Sequence, residues 1–132
     1  MAAAEEVLAR HVTPDGALTL RVQRTIENGR PLISMGFEES SWHFHPTAEE
    51  AMQIVDAVLA DRVVILTSTR DGESYIELLD DLESAVDYKP AAASCRFRVW
   101  SREVSFEDVV DGKVAYTPLD ELWNWRVSPP TP

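Results

Sequence analysis

The sequence predicts an α+β domain, in which an antiparallel sheet of hairpins is covered on one face by one main helix at about 48–61. Three observations carry this expectation. Asn28-Gly29 and Asp71-Gly72 each separate two β-prone runs, and such pairs favour the type I′ turn, which needs positive φ at both central residues. Thr47 and Glu50 stand three apart at the head of an apolar stripe, the spacing of a capping box. The element order β-β-(β)-α-β-β, followed by one to three further strands, has too few crossover helices for a doubly wound parallel sheet.

Residues 2–11 favour a helix by composition but are too few to hold one alone, so a short docked helix or a frayed end is expected. Thr13-Pro14-Asp15-Gly16 reads as a turn. Residues 17–26 alternate as a half-buried strand, with Leu18, Leu20, Val22 and Ile26 on one face and Thr19, Arg21, Gln23 and Thr25 on the other. Residues 31–37 return from the turn, and 41–45 form a further extended piece. Pro46 holds His45 extended ahead of the helix. The helix stripe consists of Ala51, Met52, Val55, Val58 and Leu59, with Val55 and Leu59 near its centre.

Residues 63–69 open with an apolar run that predicts a central strand buried on both faces, and 74–79 return from the second turn. The acidic stretch 80–88 reads as a short helical turn, and 89–93 as a connector. In 95–101, Cys95, Phe97 and Val99 face one way and Arg96, Arg98 and Trp100 the other. A third turn at Asp111-Gly112 is expected between strands at 104–109 and 113–117, and 119–127 should cover a core edge. The reading is one domain, 1–132, with a frayed N-terminal segment to about residue 12 and a C-terminal tail from about 128.

The formal charge of −11 opposes binding to nucleic acid, which needs a basic face, and to anionic membranes. Acidity serves solubility, and it also steers a basic protein partner. The one cysteine, Cys95, excludes an intramolecular disulfide and a thiolate zinc cage. Near the N-terminus, Glu5 and Glu6 stand where a signal peptide would need an apolar core, and no run is long enough to span a membrane, so a cytoplasmic location is expected.

Chemistry is most suggestive at residues 36–45, where His43 and His45 share a strand face. Glu38, Glu39 and Glu49 are the carboxylates available to join them in a facial set, yet spacing fixes no third ligand, so neither a metal nor any other cofactor is expected. The run superficially resembles the cupin pattern of Gly…His-x-His…Glu. It departs from that pattern because Gly36 to His43 is one residue too long, Asp56 replaces the later glycine and a helix follows, so the cupin reading is rejected. Trp42 and Trp100 join His43 and His45 as candidate partner contacts, with Trp100 expected on the surface beside Arg96 and Arg98. Asp80, Asp81 and Glu83 are the acidic candidates for steering a partner. No nucleophile motif, phosphate loop or zinc-protease signature is present, so no catalytic residue is assigned.

Trp42-His43-x-His45, the capped helix, Asp61-Arg62-Val63-Val64 and Arg70-Asp71-Gly72 together resemble small bacterial proteins of the toxin-immunity type, over about residues 36–72. The resemblance implies a cytoplasmic protein that binds and neutralises a toxin, without catalysis of its own. The rival expectations are a structural or oligomeric adaptor, and a metal-binding protein or enzyme using His43 and His45.

Overall fold

The computed structural model describes residues 6–79 and 95–122, apart from the side chains of Arg70 and Asp120. Its helix α1 (Ala48–Leu59) begins where the capping box places it: Thr47 Oγ1 accepts from Glu50 N at 3.1 Å, and Glu50 Oε1 accepts from Thr47 N at 2.8 Å. The buried arc is Ala51, Ile54, Val55, Ala57 and Val58. That corrects the expected stripe, because Met52 is 62% exposed and Leu59 only half-buried, while Ile54 is fully buried. The apolar arc is wide enough to admit more than one choice of centre, and tertiary packing selects the one around Ile54.

Strands β1 (Glu6–Val12), β2 (Thr19–Glu27), β3 (Arg30–Phe37) and β4 (His43–Phe44) form one antiparallel sheet in that order. From Glu6 onward, strand β1 corrects the helical or frayed reading of residues 2–11, whose first four residues lie outside the described ones. Its partner β2 supplies the backbone hydrogen bonds that so short a helix would need from itself, and a bulge between Val7 and Ala9 adjusts the register. Asn28 and Gly29 have φ of 52° and 76°, as the β2–β3 turn requires. Leu20 pairs with Phe37 and Val22 with Met35 on the core face. Ile26 lies beyond the covered area and is 53% exposed, against expectation.

Strands β5 (Ile65–Arg70), β6 (Glu73–Leu78), β7 (Cys95–Arg98) and β8 (Glu103–Val104) form a second antiparallel sheet, ordered β6-β5-β7-β8. The helix-covered sheet of hairpins is thus two four-stranded sheets. Val63 and Ile65 enter a core shared by the first sheet, α1, Ile76, Leu78 and Trp100. Val64 and Leu66 enter a second cluster with Leu79, Phe97, Val99 and Val109. The two-sided burial expected of residues 63–69 follows from this alternation.

Trp100 is only 7% exposed and belongs to the shared core, which corrects its expected surface position. Strand β7 ends at Arg98, so strand alternation cannot be extended to residue 100. Arg98 is also buried, at 6%. The expected strand at 104–109 is mostly helix α2 (Phe106–Val110), capped by Ser105 Oγ accepting from Asp108 N at 3.0 Å. Residues 113–117 carry no strand, and Gly112 at φ 77° follows the end of α2 instead of turning a hairpin. Helix α3 (Leu119–Leu122) sets Leu119 in the shared core beside α1. The helical turn expected at 80–88, the connector at 89–93, and the part of 119–127 beyond Leu122 lie outside the described residues. No helix among the described residues is long and apolar enough to cross a membrane.

Candidate functional site

On the face of the first sheet opposite the core, Arg21 pairs with Gly36, Gln23 with Ser34, and Gly36 in turn with His43. Small residues on β3 therefore leave a trough between the longer side chains of β2 and β4. The trough is an open groove of about 380 Å³, walled by Arg21, Gln23, Trp42, His43 and His45 with Glu27 and Glu38 at its rim. A methyl group on Gly36 would stand 2.5 Å from Trp42 O, so the glycine is what allows β4 to lie this close.

The two histidines do point together, with ring centroids 5.2 Å apart and planes at 82°. Each is pinned from behind. His43 Nδ1 is 2.9 Å from Ser41 O, and His45 Nδ1 is 3.1 Å from Ile33 O. A carbonyl oxygen only accepts, so each Nδ1 carries the hydrogen, and in the neutral ring the lone pair is left on Nε2. Glu27 Oε2 lies 3.9 Å from His45 Nε2. Trp42 is half-buried, with its ring tilted against Phe44 at 5.1 Å, and it packs on the edge of the shared core.

At the other end, Glu38 accepts from Arg10 Nε at 2.7 Å and Arg10 Nη2 at 3.2 Å, and from Arg21 Nη1 at 3.3 Å. The Arg10 hydrogen bond, followed by the charge of Arg10 and the bond from Arg21, holds the Glu38 carboxyl below its usual range against a partial loss of hydration. Ser40 Oγ accepts from Trp42 N at 3.2 Å and Ile76 N at 3.0 Å, so the loop that carries the groove wall is tied to β6 of the second sheet.

Of the expected contact residues, Trp42, His43 and His45 are brought together in the groove. Trp100 is in the core, and Asp80, Asp81 and Glu83 lie outside the described residues. The carboxylates expected to join the histidines are otherwise disposed. Glu38 binds two arginines, Glu39 Oε1 accepts from Thr19 N at 2.8 Å, and Glu49 lies exposed in the first turn of α1. Glu27, Arg21 and Gln23 were missed as site residues. The outward set of β2 was visible in its alternation, but the strand pairing that sets it beside His43 and His45 was not. Among the described residues no group of three or more His, Cys, Asp or Glu side chains is gathered for a metal ion. No family model matches the chain, and neither a curated protein nor a solved structure matches it.

Proposed function

We propose that this chain is a small acidic protein-binding module that uses the outer groove of its first sheet, and that its specific role is that of an immunity-type inhibitor of a basic bacterial toxin. The observation that carries the reading is the groove itself. It is shallow and open, with an aromatic ring, a guanidinium and two imidazoles on its walls, the side-chain types that anchor protein interfaces. Its wide mouth suits a protruding protein segment better than a small substrate that must be enclosed. The charge of −11 supports a basic partner, because a net field of this sign speeds encounter with one. No catalytic step belongs to this reading, and the expected location is cytoplasmic.

The test is co-expression with the toxin encoded beside the gene, followed by stopped-flow association in the presence of a chelator. Protection of growth is expected, together with an on-rate that falls steeply with salt. Arg21→Ala and His43→Ala should weaken the complex while the fold is retained. Tight binding unchanged in both variants would remove the groove from the interface, and absence of any complex would remove the inhibitor role.

A second reading, an oligomeric adaptor, is favoured by β1, an edge strand of the first sheet among the described residues, where Val7, Leu8 and Val12 are 47%, 43% and 48% exposed. Sedimentation over a range of concentration separates the two: a dimer abolished by Leu8→Lys supports the adaptor, and a monomer at every concentration excludes it.

A further inference from the structure

We propose that the hairpin end of the groove seats a cationic side chain, arginine or lysine, of the basic protein partner, held between the Glu27 carboxylate and His45 Nε2. The inference rests on the protein-binding reading and adds to it the chemistry of one contact.

The groove has two carboxylates at its rim, and they differ in what neutralises them. Glu38 is bound by Arg10 and Arg21. Glu27, at the end of β2, has no lysine or arginine within ion-pair distance among the described residues, although Arg30 is its cross-strand neighbour in the hairpin. The group nearest to it is the His45 ring, with Nε2 3.9 Å from Oε2, which is beyond hydrogen-bond length.

His45 is turned so that it offers Glu27 no hydrogen. Its Nδ1 donates to Ile33 O, so in the neutral ring Nε2 carries the lone pair. Two acceptors therefore face one another, and their spacing selects what can lie between them. A nitrogen with two hydrogens serves both, because acceptors 3.9 Å apart can each stand about 2.9 Å from a common point. A carbonyl has no hydrogen to give and a hydroxyl only one. Among groups with two N–H bonds on one nitrogen, the charge of Glu27 favours ammonium or guanidinium over a neutral amide.

The surroundings suit a long side chain. Ile26 is 53% exposed and borders the same end of the groove, so it offers an apolar bed for the methylene stem while the charged head stays at the open mouth. Arg21 does not oppose the incoming charge, because Glu38 neutralises it at 3.3 Å. The net charge of −11 adds attraction at long range.

The test is a titration of the isolated chain with single blocked residues at constant ionic strength, read from the imidazole and backbone resonances. Nα-acetyl-arginine methylamide and its lysine counterpart should give saturable shifts at His45, Ile26 and Glu27. The glutamine counterpart should bind more weakly, and the norleucine counterpart, which has the stem without the charge, should not shift His45. Glu27→Gln should raise Kd for the arginine probe about threefold to fivefold, in the range of an exposed ion pair. Glu49→Gln, which removes an exposed carboxylate from α1, should leave it unchanged. Shifts spread over the acidic surface and unaltered in Glu27→Gln would overturn the site, as would equal shifts with norleucine or no saturable shift at all. Because the probe is one residue, such a failure is read without the toxin. A toxin complex that forms while the probe fails would sink this contact and keep the protein-binding reading.

Discussion

Arg98 of the second sheet reaches Asp15, in the turn before β2, with Nη1 3.0 Å from Oδ2. The guanidinium is nearly enclosed, its side chain 8% exposed, and it also donates to Trp100 O at 2.8 Å and Val99 O at 3.1 Å. Asp15 is organised from its own side. Its Oδ1 accepts from Thr13 Oγ1 at 2.7 Å and from Ala17 N at 3.1 Å. One carboxylate therefore shapes the entry to the first sheet and neutralises the buried charge of the second.

The Thr13 hydrogen bond, the Ala17 backbone bond and Arg98, in that order, hold the Asp15 carboxyl far below its usual range. For a depressed carboxylate, the folded state gains most when the group is charged in both states. The contribution is thus fully present above the unfolded carboxylate value of about 3.9 and is lost as pH falls through the folded value. Urea denaturation of Asp15→Asn should show a clear loss of stability at pH 7 that narrows progressively below about pH 4. A gap that is constant across this range would show that the pair does not stabilise the fold through charge.

Asp61 closes α1 with a left-handed residue that is not glycine, at φ 61°. Arg62 N donates to Ala57 O and Asp61 N to Val58 O, the paired bonds of a Schellman motif. Aspartate is retained there by what its side chain does: Oδ1 accepts from Ser101 N at 2.9 Å and Oδ2 from Ser101 Oγ at 2.6 Å, joining the helix end to the segment after β7. Asp61→Ala keeps the unfavourable φ and loses both bonds, so a cost of about 1–3 kcal/mol is expected. Asp61→Gly should cost less, because it relieves the backbone, and Asp61→Asn least. Equal stability of the three variants in chemical denaturation would contradict this account.

What the sequence made legible was local. Thr47 and Glu50 bond to one another within a single turn, and Asn28-Gly29 defines its own φ angles, so both features are encoded where they act. Strand β1 is different, because Glu6–Val12 becomes a strand only when the edge of β2 is offered to it. The division into two sheets depends on long-range pairing of β5 with both β6 and β7, for which the sequence carries no comparable marker. The same holds at the groove. His43 and His45 share a face by simple alternation, whereas Glu27 reaches His45 only through the β2–β3–β4 order.

The corrected helix face separates two residues that the sequence reading did not rank properly. Ile54 has no exposed surface and lies in the shared core, while Met52 is mostly solvent-facing. Ile54→Ala should cost about 2–5 kcal/mol, as large-to-small changes in a closed core do. Met52→Gln should stay within about 0.5 kcal/mol. Parallel guanidinium titrations decide the matter, and similar midpoints for the two variants would reject the observed orientation of α1.

Gly36 links the fold to the groove. A β-carbon there would meet Trp42 O at 2.5 Å and His43 Cβ at 3.1 Å, and the first of these is backbone that cannot rotate aside. Gly36→Ala therefore has to move β4 away from β3, at a cost of about 1–3 kcal/mol. The displacement acts directly on the strand that carries His43, so the imidazole resonances of His43 and His45 should shift. Gly29→Ala supplies the contrast. Its added carbon meets nothing within 4 Å, although φ of 76° still disfavours alanine, so it should lower stability without disturbing the histidines. If Gly36→Ala is as stable as the parent chain and leaves both imidazole spectra unchanged, the close approach of β4 to β3 does not set the geometry of the groove.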